Sequence, residues 1–315
     1  MIRLDGFCTA AYWLDEGVEL RMVDELGRAQ TVAIRAGGAL AFNTIGSRRC
    51  IGYRTPSGDR FGCPTEASAS EGDQCTACFE RTGMLACMRC TGERCRSARW
   101  RESCVQPRNH AVYIASYGAG LDADGRDFIK VGVARWERRR QRVGERGSRQ
   151  ALIVARADGL EARRLETMIA RLDRTQPGAV FGARTGTPIR DRLSATQRTD
   201  AWAHPDDPAL IQAELRRRLR QLHRRIVSPY WLPENEVEQL SLPALPQLHG
   251  TPRPIVLRGW VQLRGRVAAL YGATAIIDSD AGERVALDLN NLCGFRLRTL
   301  DDAELVQAQL ALRLG

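Results

Sequence analysis

Apolar and polar side chains alternate along several stretches of this chain, and each alternation predicts a strand. Residues 1–45 read as β, because GVELRMVDELGRAQTVAIR holds two strand-like segments around a DELG turn and the pattern closes at LAFN. The same rhythm returns near the other end, where WVQLRGRVAALYG and TAIIDSDAGERVALDLN alternate across a DSDAG turn. Both segments finish in L-x-x-N, at Leu40 to Asn43 and Leu287 to Asn290, a match that two halves of one small barrel would give and that chance would also give. Between them, HAVYIASYG, FIKVGVAR and QALIVARA read as strands, while RWERRRQRVGERG and GLEARRLETMIARLD read as helices. The period lengthens to that of a helix in ALIQAELRRRLRQLHRRIV, where Leu215, Leu219, Leu222 and Ile226 fall on one face. Several prolines in SPYWLPENEVEQLSLPALPQLHGTPRP mark a linker.

These elements describe an α+β multidomain chain. The expected parts are an N-terminal β segment (1–45), a cysteine-rich module (46–109), an α/β domain (110–180), a helical region with a Pro-rich linker (181–252) and a C-terminal β-rich domain (253–315). A length of 315 residues is long for one hydrophobic core, which agrees with several domains.

Charge adds a class of partner. The net charge is +10, and a surface of that sign attracts polyanions, because neutralised phosphates release condensed counterions. Of the 47 basic side chains only Lys130 is a lysine. Coding bias accounts for arginine over lysine, but not for the excess of positive charge. Arg216, Arg217, Arg218, Arg220, Arg224 and Arg225 crowd the polar part of the long helix beside one glutamate. Such a run is either a solvated face or a phosphate-binding one. With Arg135, Arg138 and Arg139 of the first basic helix, Arg217, Arg220 and Arg224 are the candidate contacts to DNA or RNA. The first residues lack a basic stretch followed by an apolar run, and no segment approaches the ~20 apolar residues that cross a bilayer. A cytoplasmic protein without a membrane partner is therefore expected.

In a reducing compartment cysteines serve as metal ligands or catalytic groups more often than as disulfides. Eight of the ten lie between Cys50 and Cys104: Cys50, Cys63, Cys75, Cys78, Cys87, Cys90, Cys95 and Cys104. CTAC and CMRC have the spacing at which two thiolates grip one tetrahedral Zn²⁺, and eight thiolates would complete two structural zinc sites. The intervening PTEASASEGDQ and TGERCRSARWRES are poor in aliphatic residues, so metal would supply stability that a core does not. An iron–sulfur cluster and a redox dithiol are the competing readings. The dithiol normally follows a strand and opens a helix, a context the local sequence does not display. His110 lies close enough to replace one ligand, and the partition of cysteines between sites is not encoded in the spacing. Cys8 and Cys293 sit in apolar β segments as buried thiols.

The ββαβα order, with AVY ending at Tyr113 and KVG running from Lys130 to Gly132, resembles the GIY-YIG nuclease superfamily. That resemblance implies a metal-dependent endonuclease in which Tyr113 helps activate water, Arg140 or Arg142 stabilises developing charge and Glu166 holds one Mg²⁺. Lys130 stands at the place of the second signature tyrosine. A closer similarity covers residues 50 to 176: QCTACF, CRSARWRESC, HAVYIA, IKVGVAR, RVGERG and the DRT of Asp173 to Thr175 resemble the bacterial family catalogued as domain of unknown function 2797. It implies a zinc-binding module followed by a GIY-YIG-like unit, with β-rich flanks, and carries no established chemistry. The chain departs from that family at RVGERGS, at Pro177 and in the long SYGAGLDADGRD gap. Plainer roles exist for each residue: Tyr113 as a strand aromatic, Glu166 as an ion-pair partner of Arg163 or Arg142, and Lys130 as a stem covering apolar surface. Three functions follow: a nuclease, a non-catalytic nucleic-acid binder, or an enzyme on another substrate that uses Lys130 as an amine nucleophile or zinc-bound thiolates.

Overall fold

The computed structural model describes residues 2–70, 72–119, 127–172, 207–241, 251–257 and 259–300. Among them the chain mixes α and β structure and divides into two compact units. One is drawn from Met1–Tyr53, Phe61–Cys78 and Ile255–Gly315, and the other from Arg54–Arg60 and Phe79–Pro254. No helix among the described residues is long and apolar enough to cross a membrane. Asp173 to Thr175 and Pro177 lie outside the described residues.

The first unit is built on an antiparallel sheet in which strands from the two ends of the sequence interleave. Ala39–Ile45 pairs with Gln262–Tyr271 on one side, Gly265 opposite Leu40, and with Arg296–Thr299 on the other, Arg296 opposite Ile45. Arg296–Thr299 also pairs with Gly6–Leu14, which continues to Gly17–Val23 and Ala29–Ile34. On the far side Gln262–Tyr271 leads to Thr274–Ser279 and Arg284–Asp288. The predicted alternation is visible in the burial of Leu263, Val267, Ala269 and Tyr271 along one strand. The L-x-x-N match carries no structural repeat: Leu40 to Asn43 lies within a strand, whereas Leu287 to Asn290 runs from a strand into the 3-10 turn Leu289–Leu292. Cys8 and Cys293 are buried in this unit, and a mutual hydrogen bond together with burial holds the Cys8 thiol well above its usual range.

The second unit carries a four-stranded antiparallel sheet in the order Glu238–Ser241, Gln150–Ala157, His110–Ala119, Asp127–Arg135. Gly159–Leu172 packs on it through Ala162, Leu165 and Ile169, its first turn capped by Asp158, whose carboxylate accepts from Leu160 N at 2.8 Å and Glu161 N at 2.9 Å. Pro208–Arg225 packs through Ile211, Leu215, Leu219 and Leu222, the apolar face read from the sequence, with Asp207 accepting from Ala209 N. Two local readings change. The basic helix is short, a 3-10 turn at Trp136–Arg138 followed by Arg139–Gly144, because only Val143 offers an apolar anchor. The stretch read as a linker instead supplies Tyr230, Trp231 and Leu232 to the core and, at Glu238–Ser241, an edge strand, with Leu232 N donating to Val154 O at 3.0 Å.

Candidate metal centre and its surroundings

Cys50, Cys63, Cys75 and Cys78 come together in the first unit, their sulfur atoms all within 4.8 Å of one another. Three are buried and Cys63 is half-buried, with Cys63 Sγ 3.9 Å from Cys75 Sγ. Backbone geometry shapes the pocket around them. Gly52 N donates to Cys50 Sγ at 3.3 Å from a left-handed backbone, φ 86°, and a Cβ at Gly52 would stand 1.8 Å from Phe61 O. The Gln74 amide then donates to Gly52 O at 2.6 Å and fixes the turn. The CTAC pair does open a helix, Thr76–Thr82, contrary to the sequence reading of its context. Two further thiols at ligand distance make it half of a four-sulfur site instead of an isolated dithiol.

Electrostatics point the same way. Burial acts to raise Cys63, but hydrogen bonds from the Thr65 hydroxyl and from the Thr65 and Ala67 backbone outweigh it and bring this thiol to about 6. Burial pushes Cys50 up, and burial with hydrogen bonds from Cys50, Cys75 and Cys63 pushes Cys78 far above the usual thiol range. One thiolate forms readily here, whereas four in contact require a cation. Cys50, Cys63, Cys75 and Cys78 could therefore hold one metal ion, and four thiolates are the donor set of a structural zinc site.

The other four cysteines between Cys50 and Cys104 lie in the second unit. Cys87, Cys90, Cys95 and Cys104 line a cavity of about 210 Å³ with His110, Gly159, Arg135 and Arg163. Burial and then the thiols of Cys95, Cys87 and Cys90 push Cys104 up to about 11. Burial, followed by the charges of Arg135 and Arg163, brings His110 down to about 4. Among the described residues no further set of three ligand atoms lies within 4.8 Å of one another.

Tyr113 is 1 % exposed and faces Gly132 across the central strand pair, with Ile153 opposite it on the other side. A Cβ at Gly132 would stand 2.4 Å from the Tyr113 ring and hydroxyl, so the tyrosine lies where only glycine leaves room. Lys130, 5 % exposed, pairs with Ala115; being two residues from Gly132, it shares the face that Tyr113 lines. The Glu166 carboxylate accepts from Arg163 Nη1 at 2.7 Å, one turn along its helix. Arg142 pairs with Glu145 at 2.5 Å, and Arg140 is exposed.

Among the arginines, partners separate those spent on structure from those facing solvent. Arg139 makes a two-bond pair with Glu238 at 2.6 and 3.1 Å and stacks on Trp136, which also receives Arg156. Arg217 takes both oxygens of Glu214 at 2.6 Å, and buried Arg218 shares that carboxylate. Hydrogen bonding by Arg217 holds Glu214 below the usual carboxylate range, against the opposing effect of its burial. Arg135 donates to Ser103 Oγ at 3.0 Å, and exposed Arg138 to the Gln141 amide oxygen at 3.1 Å. Arg216, Arg220, Arg224 and Arg225 make no ion pair among the described residues. Arg216 and Arg220 line a groove of about 350 Å³ with His223, Trp231, Leu232 and Glu234. The His223 ring meets Trp231 at 4.8 Å, and the indole N–H donates to Ile226 O at 3.0 Å. Trp231 escaped the sequence reading because it falls in the supposed linker.

Residues 37–296 match the model of a family described as a protein of unknown function, DUF2797. No curated protein and no solved structure matches the chain.

Proposed function

We propose that this chain, which belongs to the DUF2797 family, is a zinc-binding protein that engages DNA or RNA through the arginine face of the helix Pro208–Arg225. One observation carries the reading: among the described residues Arg216, Arg220, Arg224 and Arg225 make no ion pair, while Arg217 and Arg218 on the same helix engage Glu214. Arg216, Arg220 and Arg224 recur every four residues and form one stripe. A stripe of guanidinium groups that make no ion pair among the described residues, on a chain of net charge +10, suits successive phosphates, and Trp231 beside it offers a flat ring for a base. A structural zinc ion at Cys50, Cys63, Cys75 and Cys78 is part of this reading.

The test is binding of labelled DNA and RNA oligonucleotides over a series of salt concentrations. The affinity is expected to fall linearly on logarithmic axes, and replacing Arg220 and Arg224 by Glu should weaken binding at least about tenfold and reduce the slope by about 2. Absent or salt-independent binding overturns the proposal.

A second reading rests on the register of the two signature strands. Gly132 is required beneath Tyr113, and Lys130 shares their face, which supports a GIY-YIG-like site for phosphodiester hydrolysis with Arg140 or Arg142 and Mg²⁺ at Glu166. Binding Mg²⁺ there would require Glu166 to leave Arg163. A Glu166→Ala protein that cleaves labelled DNA and RNA as fast as the parent removes this reading. An enzyme on another substrate with Lys130 as nucleophile has less support, since that side chain is almost fully covered; full activity in Lys130→Arg would exclude a covalent role for the amine.

A further inference from the structure

The segment from Gly83 to Cys104 buries no apolar side chain. Its two short helices, Leu85–Met88 and Ala98–Cys104, contain no buried residue, and Leu85 and Met88 are exposed. What order it has locally comes from polar contacts: Ser97 Oγ accepts from Trp100 N at 3.3 Å, and the Trp100 indole N–H donates to Thr82 O at 2.7 Å. A stretch of this length without apolar burial lacks the usual source of folding free energy. What it does turn inward is sulfur.

We infer that Cys87, Cys90, Cys95 and Cys104 hold a second thiophilic divalent cation of the zinc class, a centre separate from the first quartet and contained in the other unit. Three observations converge on it. The four thiols and His110 line a single cavity of about 210 Å³, large enough for an ion once the sulfurs close around it. His110, which lines this cavity, has its Nδ1 buried without a hydrogen-bond partner, an unsatisfied polar atom of a kind that folded proteins rarely leave. The third observation is a local geometry shared with the first quartet.

Cys90-Thr91-Gly92 repeats the turn of Cys50-Ile51-Gly52. In each, the glycine N–H two residues on donates to the cysteine sulfur, at 3.4 Å for Cys90 and 3.3 Å for Cys50. In each, that glycine is left-handed, φ 85° at Gly92 and 86° at Gly52. Each is also closed to a side chain: a Cβ at Gly92 would stand 2.3 Å from Arg164 N, and one at Gly52 would stand 1.8 Å from Phe61 O. A backbone N–H aimed at a sulfur stabilises negative charge on it and is a typical supporting contact for a metal-bound thiolate. The other side of the cavity is similarly constrained, since a Cβ at Gly159 would lie 2.5 Å from Cys104 Sγ and 2.9 Å from His110 Cε1.

Four thiolates complete a tetrahedral shell, in which the unsatisfied His110 Nδ1 can replace one sulfur. Because His110 begins the strand of Tyr113 and Gly159 begins the helix of Glu166, the ion would tie the Gly83 to Cys104 segment to the start of both elements. The sulfurs are spread more widely than in the first quartet, so the second ion draws its ligands inward on binding and leaves first under chelation.

Elemental analysis and native mass spectrometry of the full chain test this without reference to nucleic acid. Two zinc ions per chain are expected, falling to one in Cys95→Ser, to one in Cys75→Ser and to none in the double variant. One ion in the parent, or two retained in Cys95→Ser, overturns the inference. Should Cys95→Ser fail to fold, Co²⁺ titration of the zinc-depleted parent decides: thiolate charge-transfer absorbance must rise to two equivalents, and saturation at one rejects the second centre. The absorption of an iron–sulfur cluster in the purified chain would reject the zinc class.

Discussion

CTAC and CMRC have the same spacing, yet the structure uses them differently. Cys75 precedes a helix and Cys78 lies inside it, whereas Cys87 sits in the last turn of Leu85–Met88 and Cys90 falls beyond its end. The first pair meets Cys50 and Cys63 with all sulfurs within 4.8 Å, while the second faces Cys95 and Cys104 across a wider cavity. A two-residue gap thus specifies that two thiols can grip one ion, and the partners that complete the shell decide how far the site is assembled beforehand. The arginines of Pro208–Arg225 teach the same lesson: Arg217 and Arg220 are alike in sequence, but Glu214 engages only the first.

The largest effect should come from the first quartet. Cys75→Ser is expected to remove its ion and, with metal binding worth on the order of 10 kcal/mol in small zinc sites, to unfold the sheet unit. Circular dichroism with a zinc count would check this, and a native spectrum with unchanged melting would break the contrast between assembled and open quartets. Next, Glu214→Ala removes one charged hydrogen-bond partner from buried Arg218, a loss on the order of 2 kcal/mol in urea denaturation. Gly92→Ala forces a left-handed backbone on an L residue, costing about 1–2 kcal/mol before any clash. Gly52→Ala meets a closer obstacle and should cost more; thermal melts of the two variants sharpen the comparison. Smallest of all, Arg217→Ala removes a solvent-screened pair whose arginine is about half exposed and should change stability by roughly 0.5 kcal/mol. Its nucleic-acid affinity should stay close to the parent's, in contrast to the Arg220 and Arg224 substitutions.

Local patterns were legible in the sequence, and their partners were not. Alternation predicted the Gln262–Tyr271 strand, and the Leu215 to Ile226 spacing predicted a buried helical face, because both follow from burial on one side of one element. Nothing local says that Gln262–Tyr271 lies beside Ala39–Ile45, since that choice depends on register between segments far apart in the chain. The Glu238–Ser241 strand was hidden by flanking prolines and by its four-residue length. The cysteines announced metal chemistry, while their separation into Cys50, Cys63, Cys75, Cys78 and Cys87, Cys90, Cys95, Cys104 required the fold. Glu166 looked equally suited to a metal or to an arginine, and the structure pairs it with Arg163, since residues three apart on a helix are neighbours on its surface.

The interleaving of the sheet also has a temporal side. Thr44 N donates to Val261 O at 2.9 Å, a contact between residues 217 positions apart. At ribosomal rates of about 5–20 residues per second, the Ala39–Ile45 strand would wait roughly 10 to 40 s for that neighbour to be made. The intervening unit, whose four strands and long helices are all encoded inside that gap, can fold during the delay. Synthesis therefore exposes an unfinished strand edge early and closes it late, making the first half of the sheet the part of the nascent chain most in need of protection from aggregation.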